Sequence, residues 1–331
     1  MRMKKSFMFL LTASILLMLA VPLIFGGFDQ FRLLNRISWE VALTVILIIA
    51  VSWTFNALRL RFLLGIMDRP INMGEGAMIT IAGEFAGNAT PGAIGLPVTY
   101  TFLLRKLKFS FGSAMGMVSV IVLMDVIFYG TLMPLAAFIL LFEKAPHTTR
   151  MALIIAVLVI GASFILWALF RYYRGVCRTI GGLMDRVKWL SPHRRRLRRM
   201  FVDYIRALRL LRRISWKQRI GLYMVTIGYW MPRYLLLIVL IMTVGQKTVP
   251  FTYVFLMQGL LNLGGQIIIM PGGGGGVDVA YSFFMSPYLS AQAVGLTLIL
   301  WRICTYYLYL LLGAPVFFYK TGKVARDLLA R

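Results

Sequence analysis

The sequence predicts an all-α integral membrane protein, a polytopic bundle of about six full spans plus two opposed re-entrant helical hairpins in an inverted repeat. Three observations predict this fold class. Hydrophobic residues make up 60% of the 331 residues and charged residues only 14%, too few charges to cover a water-soluble domain. Several apolar runs reach the roughly 20 residues that a bilayer span needs. Two further apolar runs are interrupted at their centres by proline and glycine.

The predicted spans have a consistent direction. The first carries no convincing small-residue cleavage site, so it is expected to stay uncleaved. Lys and Arg concentrate in 1–5, 59–73, 105–108, 171–219 and 320–331, which places these segments and both termini on the cytoplasmic side. The six predicted spans are 7–27, 39–58, 109–142, 151–171, 219–244 and 291–319.

The two interrupted runs cannot be continuous helices. Residues 74–104 contain NATPGAIGLP at 88–97, and residues 251–289 contain MPGGGGGVD at 270–278. Proline lacks a backbone donor, and clustered glycine loses much conformational entropy in a helix. Each run therefore predicts two half-helices joined at a turn. The charge pattern puts the ends of the first hairpin inside and those of the second outside.

Counting the elements gives the same order in each half of the chain: span, span, hairpin, span. The halves are 1–145 and 151–331, the second with a basic cytoplasmic insert at 172–218. Because the first half starts inside and the second outside, the pattern predicts an inverted repeat, which transporters use to build a site near the midplane. The alternative is that the symmetry is a coincidence of the span boundaries.

Each break predicts a binding site for an anion. Nonhelical backbone persists deep in a membrane only where protein buries it or a wet cavity meets it. The second half-helices begin near Pro97 and Val277, and their N-termini attract phosphate or carboxylate. The alternative is that glycines only let helices pack, which we favour for Gly83 and Gly87. The residues predicted to bind the anion at the breaks are Asn88, Thr90, Pro91, Gly92, Gly95, Pro271, Gly272, Gly273, Gly274, Gly275 and Gly276.

Charged residues inside the apolar runs extend this predicted site. Each costs roughly 2–4 kcal/mol unless it is paired or hydrated. Arg233 and Arg302 are expected to neutralise an anionic headgroup, while the acids pair with them or relay protons. Purely structural ion pairs are the alternative. The acids near the breaks and in the middle of a span are Glu84, Asp125 and Asp278.

Other classes of function find little support. The chain has no Walker, GxGxxG, DxD, GxSxG or HExxH motif, so an enzyme is disfavoured. Neither cysteine nor histidine occurs at ligand spacing, and no metal site or cofactor is expected. The basic stretch 194–213 predicts an amphipathic helix on anionic lipid rather than a nucleic-acid site. Its predicted membrane-surface residues are Arg194, Arg195, Arg196, Arg198 and Arg199.

Three segments together resemble a known family. They are GEFAGNATPGAIGLPVTYTFLLRKLKFS at 83–110, PGGGGGVD at 271–278 and WRICTYY at 301–307, which adds Tyr306 to the predicted site. Over most of its length the chain resembles the transmembrane region of lysylphosphatidylglycerol synthases and the standalone proteins grouped with it as flippases. The resemblance implies translocation of a polar or anionic lipid, or a lipid-linked headgroup, across the cell inner (cytoplasmic) membrane.

The resemblance also suggests partners. The synthase domain is absent from these residues, so a lipid synthase or transferase is expected to be a separate protein, and a homodimer stays open. Two other functions stay open as well. One is a membrane-embedded transferase acting on lipid-linked substrates. The other is a noncatalytic membrane scaffold that recruits a synthase through 171–219.

Overall fold

The computed structural model describes residues 2–142, 214–246, 248–268 and 270–329, with scattered positions between 157 and 209. The predicted span 151–171 and the membrane-surface arginines Arg194, Arg195, Arg196, Arg198 and Arg199 fall largely or wholly outside these residues. The described part of the chain is helical throughout. Its α-helices are α1 (Arg2–Gly26), α2 (Trp39–Ile66), α3 (Met73–Ala89), α4 (Gly95–Leu104), α5 (Phe111–Phe142), α6 (Trp216–Gly245), α7 (Phe251–Ile267), α8 (Gly276–Met285), α9 (Ala291–Arg302) and α10 (Leu308–Leu329).

The described helices confirm a polytopic helical membrane protein. Four are long and apolar enough to cross a bilayer: Trp39–Ile66, Phe111–Leu140, Trp216–Gly245 and Ala291–Gly322. A fifth crossing is formed if Thr12–Gly26 is counted with Phe28–Arg36, to which it joins at an angle of 85°. The segment 28–38, predicted as a loop, thus contains a 3₁₀-helix.

The structure corrects one predicted boundary. The span predicted to end at residue 58 continues to Ile66, so Arg59 belongs to the helix rather than to a cytoplasmic loop. Arg59 is 4% exposed. The helix continues because nothing from 59 to 66 breaks it, and because a buried carboxylate compensates the charge, as described below. Counting Arg59 as a cytoplasmic charge was therefore wrong.

Both predicted breaks occur, and they share one backbone geometry. Thr90 is extended at φ −120° and ψ 144°, Pro91 follows, and Gly92 is left-handed at φ 60°. Met270, Pro271 and Gly272 repeat this with φ −123° and ψ 141°, proline, and φ 61°. The left-handed positions favour glycine. Each break follows a helix of 17 residues and precedes one of 10 residues.

The two breaks meet inside the bundle. The segment Pro91–Ala93 contacts Pro271–Gly273, and each also contacts the long helix before the other break. A Cβ added at Gly92 would lie 3.3 Å from the Gln266 carbonyl oxygen. Two hydrophobic cores flank this meeting point, one built mainly on α2 to α5 and the other mainly on α5 to α9.

The last crossing contains an irregular turn. Between α9 and α10, Ile303–Tyr307 is π-helical, so this turn carries one more residue than an α-helical turn. Such turns occur often at functional sites. It adjoins Arg302, the last residue of α9, and lies against the meeting point of the two breaks.

Candidate functional site

A polar cavity of about 150 Å³ lies where the two breaks meet. Six residues predicted from sequence line it: Asn88, Gly92, Arg233, Gly272, Arg302 and Tyr306. The polar residues Gln258, Asn262, Gln266 and Thr305 also line it. Thr305 lies in the WRICTYY segment, whereas the other three had no sequence signal for a site. The cavity therefore combines two arginines with hydrogen-bonding side chains and exposed backbone.

Arg302 is anchored by an acid and a backbone carbonyl, both from the second break. Its Nε lies 2.5 Å from Asp278 Oδ1, and the Asp278 side chain is fully buried. Its Nη1 donates to the Gly272 carbonyl oxygen at 3.0 Å. Its Nη2 is buried and has no hydrogen-bond partner among the described residues. Arg302 is also one of the residues that line the cavity.

Arg233 is held more loosely. Its Nη1 lies 3.8 Å from Glu84 Oε1, and it donates a hydrogen bond to the Tyr229 hydroxyl. Tyr229 in turn donates to Glu84 Oε1 at 2.6 Å. The Arg233 guanidinium also lies over the rings of Tyr229, Trp230 and Tyr309, at 5.1–5.5 Å from their centroids. Aromatic faces stabilise such a cation at short range.

A third buried pair completes the network and was missed from the sequence. Arg59 Nη1 lies 2.5 Å from Asp125 Oδ1, which also accepts from Trp230 Nε1 at 2.8 Å. Asn56 links this pair to Glu84, because it accepts from Arg59 and donates to Glu84 Oε1. Placing the span end at residue 58 hid Arg59, but its spacing of three residues from Asn56 puts both on one helical face.

The half-helix N-termini are partly occupied by the chain itself. Thr90 Oγ1 accepts from the Gly95 amide at 2.7 Å, and Asp278 Oδ2 accepts from the Gly275 amide at 2.8 Å. Orphan amides at a helix start are commonly capped in this way. These two donors are therefore not available to an anion, and the arginine side chains are the cations that reach the cavity.

Removing the Thr90 cap is expected to weaken the first break. Thr90→Val keeps the shape but leaves the Gly95 amide without its acceptor, and we expect a loss of about 1 kcal/mol in the free energy of unfolding. Reversible unfolding in mixed micelles measures it. Thr90→Ser, which keeps the hydroxyl, is the control and should stay near the parent value. Equal losses in both variants would contradict the capping role.

Several predicted site residues lie beside the cavity instead of lining it. Glu84, Asp125 and Asp278 pair with the arginines, while Thr90, Pro91, Gly95, Pro271, Gly273, Gly274, Gly275 and Gly276 shape the breaks. Gly83 and Gly87 pack against α4, near Tyr100 and Leu96, and Gly87 also lines the cavity. In the described residues, no three His, Cys, Asp or Glu side chains come together as metal ligands.

An apolar groove lies on the other side of the second break. It has a volume of about 830 Å³ and is lined by α1, α8 and the glycine segment. Leu17, Val21, Val279 and Phe283 form its walls, and Gly274, Gly275 and Gly276 form part of its surface. Gly272 faces the polar cavity. A few residues of glycine-rich backbone therefore separate a polar cavity from an apolar groove.

Comparisons with known proteins give the family of this chain. Residues 9–313 match the family model for the lysylphosphatidylglycerol synthase TM region. A UPF0104 membrane protein of Archaeoglobus fulgidus is 21% identical over 312 residues, which cover 91% of this chain and 94% of that protein. The resemblance seen in the sequence is thereby confirmed. Because the family match covers most of the chain, this multi-pass membrane protein belongs to the lysylphosphatidylglycerol synthase TM region family.

Proposed function

We propose that this protein moves a lipid with a polar, anionic headgroup across the cytoplasmic membrane without changing it chemically. The observation that carries the proposal is the pairing of two unlike cavities around the second break. The polar cavity has the buried Arg302 and the half-buried Arg233, and the groove behind the glycine segment is apolar. A ligand that suits both has a charged head and a hydrocarbon tail.

The polar cavity supports the choice of an anionic headgroup. Arg302 Nη2 is a buried, charged donor without a partner in the described chain, and such groups are costly unless something accepts from them. Arg233 lines the same cavity. A phosphate oxygen is a strong acceptor for guanidinium groups. Gly92 and Gly272 also line the cavity, where no side chain of their own covers the backbone.

The apolar groove supports the choice of a lipid over a free anion. Its lining is almost wholly hydrocarbon, with the exposed faces of Val279 and Phe283 open to the surroundings. In a bilayer these faces would meet acyl chains. A lipid whose phosphate lies at Arg302 could place a chain over Gly274 to Gly276 and into the groove.

The finer architecture belongs to the same proposal. The two helical hairpins, α3 with α4 and α7 with α8, would enter the membrane from opposite sides as an inverted repeat, with both termini in the cytoplasm. The equal geometry and equal flanking helix lengths of the two breaks support this view. Rocking of one repeat against the other would then open the cavity to each leaflet in turn.

A vesicle assay tests the proposed function. Purified protein in phosphatidylcholine vesicles with fluorescent phosphatidylglycerol should speed exchange of the label between leaflets, measured by extraction with albumin. Arg233→Gln removes a charged donor worth about 1.5 kcal/mol or more, so exchange should slow roughly tenfold.

Arg61→Gln provides the matched control, because Arg61 is an exposed arginine on α2. It should exchange lipid at the parent rate. Parent protein that moves label no faster than protein-free vesicles would contradict the proposed function. If Arg233→Gln exchanged lipid at the parent rate, Arg233 would not be part of the binding site.

A further inference from the structure

We propose that Glu84 binds a proton when an anionic headgroup binds Arg233, so that each lipid anion crosses the membrane together with one proton. This inference rests on the proposed function and adds proton movement as a second activity. The observation behind it is a difference among three arginine–carboxylate pairs inside the helical bundle. In one of them, the two charged groups make no direct hydrogen bond.

Two of the three pairs are closely fixed. Arg59 and Asp125 are 2.5 Å apart, and Asp125 also accepts from Trp230. Arg302 and Asp278 are likewise 2.5 Å apart, and the second Asp278 oxygen accepts from the Gly275 amide. Each aspartate therefore accepts from its arginine and from one further donor. If either arginine turned to a bound anion, its aspartate would stay in place, held by the other donor but without a cation.

The third pair is open. Arg233 and Glu84 are 3.8 Å apart, longer than a charge-assisted hydrogen bond. Arg233 also lines the polar cavity, where Glu84 does not. Arg233 is linked to Glu84 through the Tyr229 hydroxyl. An anion in the cavity therefore competes with Glu84 for Arg233 without having to break a direct hydrogen bond between the two.

Glu84 can change its charge without losing its position. Asn56 and Tyr229 both donate to Oε1, at 3.2 and 2.6 Å. A proton added at Oε2 leaves Oε1 as an acceptor for both. Arg233 can likewise remain in place, because the rings of Tyr229, Trp230 and Tyr309 surround its guanidinium whether or not Glu84 is charged.

A proton can replace the positive charge that Glu84 loses when an anion binds Arg233. Arg59 and Asp125 compensate one another, so Arg233 is the cation left for Glu84 among the groups facing it. When an anion takes over Arg233, Glu84 is left as a buried carboxylate without a cation, which is costly. A proton on Glu84 removes that charge. The titratable and charged groups facing Glu84 are Arg59 of α2, Tyr100 of α4, Asp125 of α5, Tyr229 and Arg233 of α6, and Tyr309 of α10.

The cycle conserves charge. The lipid anion and one proton enter from the same side, the proton forms an O–H bond on Glu84, and both leave on the other side. The loaded cavity then carries the same net charge as the empty one. Because lipid binding favours proton binding, proton binding favours lipid binding by the same factor. A proton gradient must therefore drive the movement of the lipid across the membrane.

A pH gradient across the vesicle membrane tests this inference. With fluorescent phosphatidylglycerol in phosphatidylcholine vesicles, the label should accumulate in the leaflet facing the alkaline compartment, approaching about tenfold per unit of pH difference. Adding a protonophore should return the ratio to one. The equilibrium ratio does not depend on how the protein is oriented in the vesicle.

Glu84→Gln is the decisive variant, because it keeps an oxygen acceptor for Asn56 and Tyr229 while fixing the charge at zero. It should still exchange label but distribute it equally under a gradient. Glu75→Gln is the matched control, since Glu75 lies on the same helix and pairs with Lys320 away from the cavity; it should keep the parent ratio.

The outcomes separate the two proposals. No protein-dependent exchange in the parent would overturn the proposed function itself. Exchange that stays symmetric under a gradient in the parent, or an unchanged accumulation ratio in Glu84→Gln, would overturn proton coupling while leaving lipid movement intact.

Discussion

Arg302→Ala is expected to lower the free energy of unfolding by about 3–5 kcal/mol, because it leaves a buried carboxylate without its cation. The Asp278 side chain has no exposed surface, and Arg302 is also its link to the Gly272 carbonyl. Lipid exchange should be lost as well, since one of the two arginines that line the cavity disappears. Reversible unfolding in mixed micelles and the vesicle assay measure the two effects.

A paired substitution separates the role of Arg302 in stability from its role in binding. In Asp278→Asn with Arg302→Met, the asparagine oxygen can still accept from the Gly275 amide, and no buried charge is left alone. Such replacements of buried ion pairs are often close to neutral in stability. The double variant should recover most of the stability but no lipid exchange. Recovery of both would show that Arg302 has only a structural role.

Gly95→Ala is expected to cost about 3 kcal/mol, at the upper end of what overpacking does. A Cβ at this position would lie 2.1 Å from the Ala86 carbonyl oxygen and 2.7 Å from Thr90 Oγ1. The first contact is with backbone, so no side-chain rotation relieves it, and the cap from Thr90 to Gly95 would also be disturbed. Unfolding in mixed micelles gives the measurement.

Gly264→Ala is the control for this prediction. Gly264 lies within α7, and nothing is found within 4 Å of its added Cβ. Alanine has the higher helix propensity, so this variant should be as stable as the parent or slightly more stable. If Gly95→Ala is as stable as the parent, then the start of α4 does not pack against α3 as closely as the structure shows.

The sequence was most informative where neighbouring residues determine the conformation of the backbone. The breaks followed from Pro91 and Pro271 with their glycines, and the structure places both within a residue or two of the expected positions. The two breaks also meet, as the prediction of one site near the midplane requires. Composition alone was enough to predict a polytopic helical membrane protein, which the structure and the family match confirm.

The sequence was least informative where contacts between distant helices determine the position of a side chain. Arg59 was assigned to a loop because a charge after an apolar run normally marks its end, and only Asp125 from α5 makes its burial tolerable. The aromatic rings around Arg233 come from α6 and α10, more than 70 residues apart in sequence. The helix starts predicted as open donors are capped by Thr90 and Asp278, a detail of local geometry that composition does not reveal.

The π-helical turn at Ile303–Tyr307 lets one membrane crossing contribute both to the Arg302–Asp278 pair and to the surroundings of Arg233. An extra residue in a turn rotates the following helix by about 100° relative to a regular one. Before the turn, Arg302 faces Asp278, and after it Tyr309 faces Arg233. The surroundings of Arg302 and Arg233 are therefore joined through one short, irregularly wound segment of backbone.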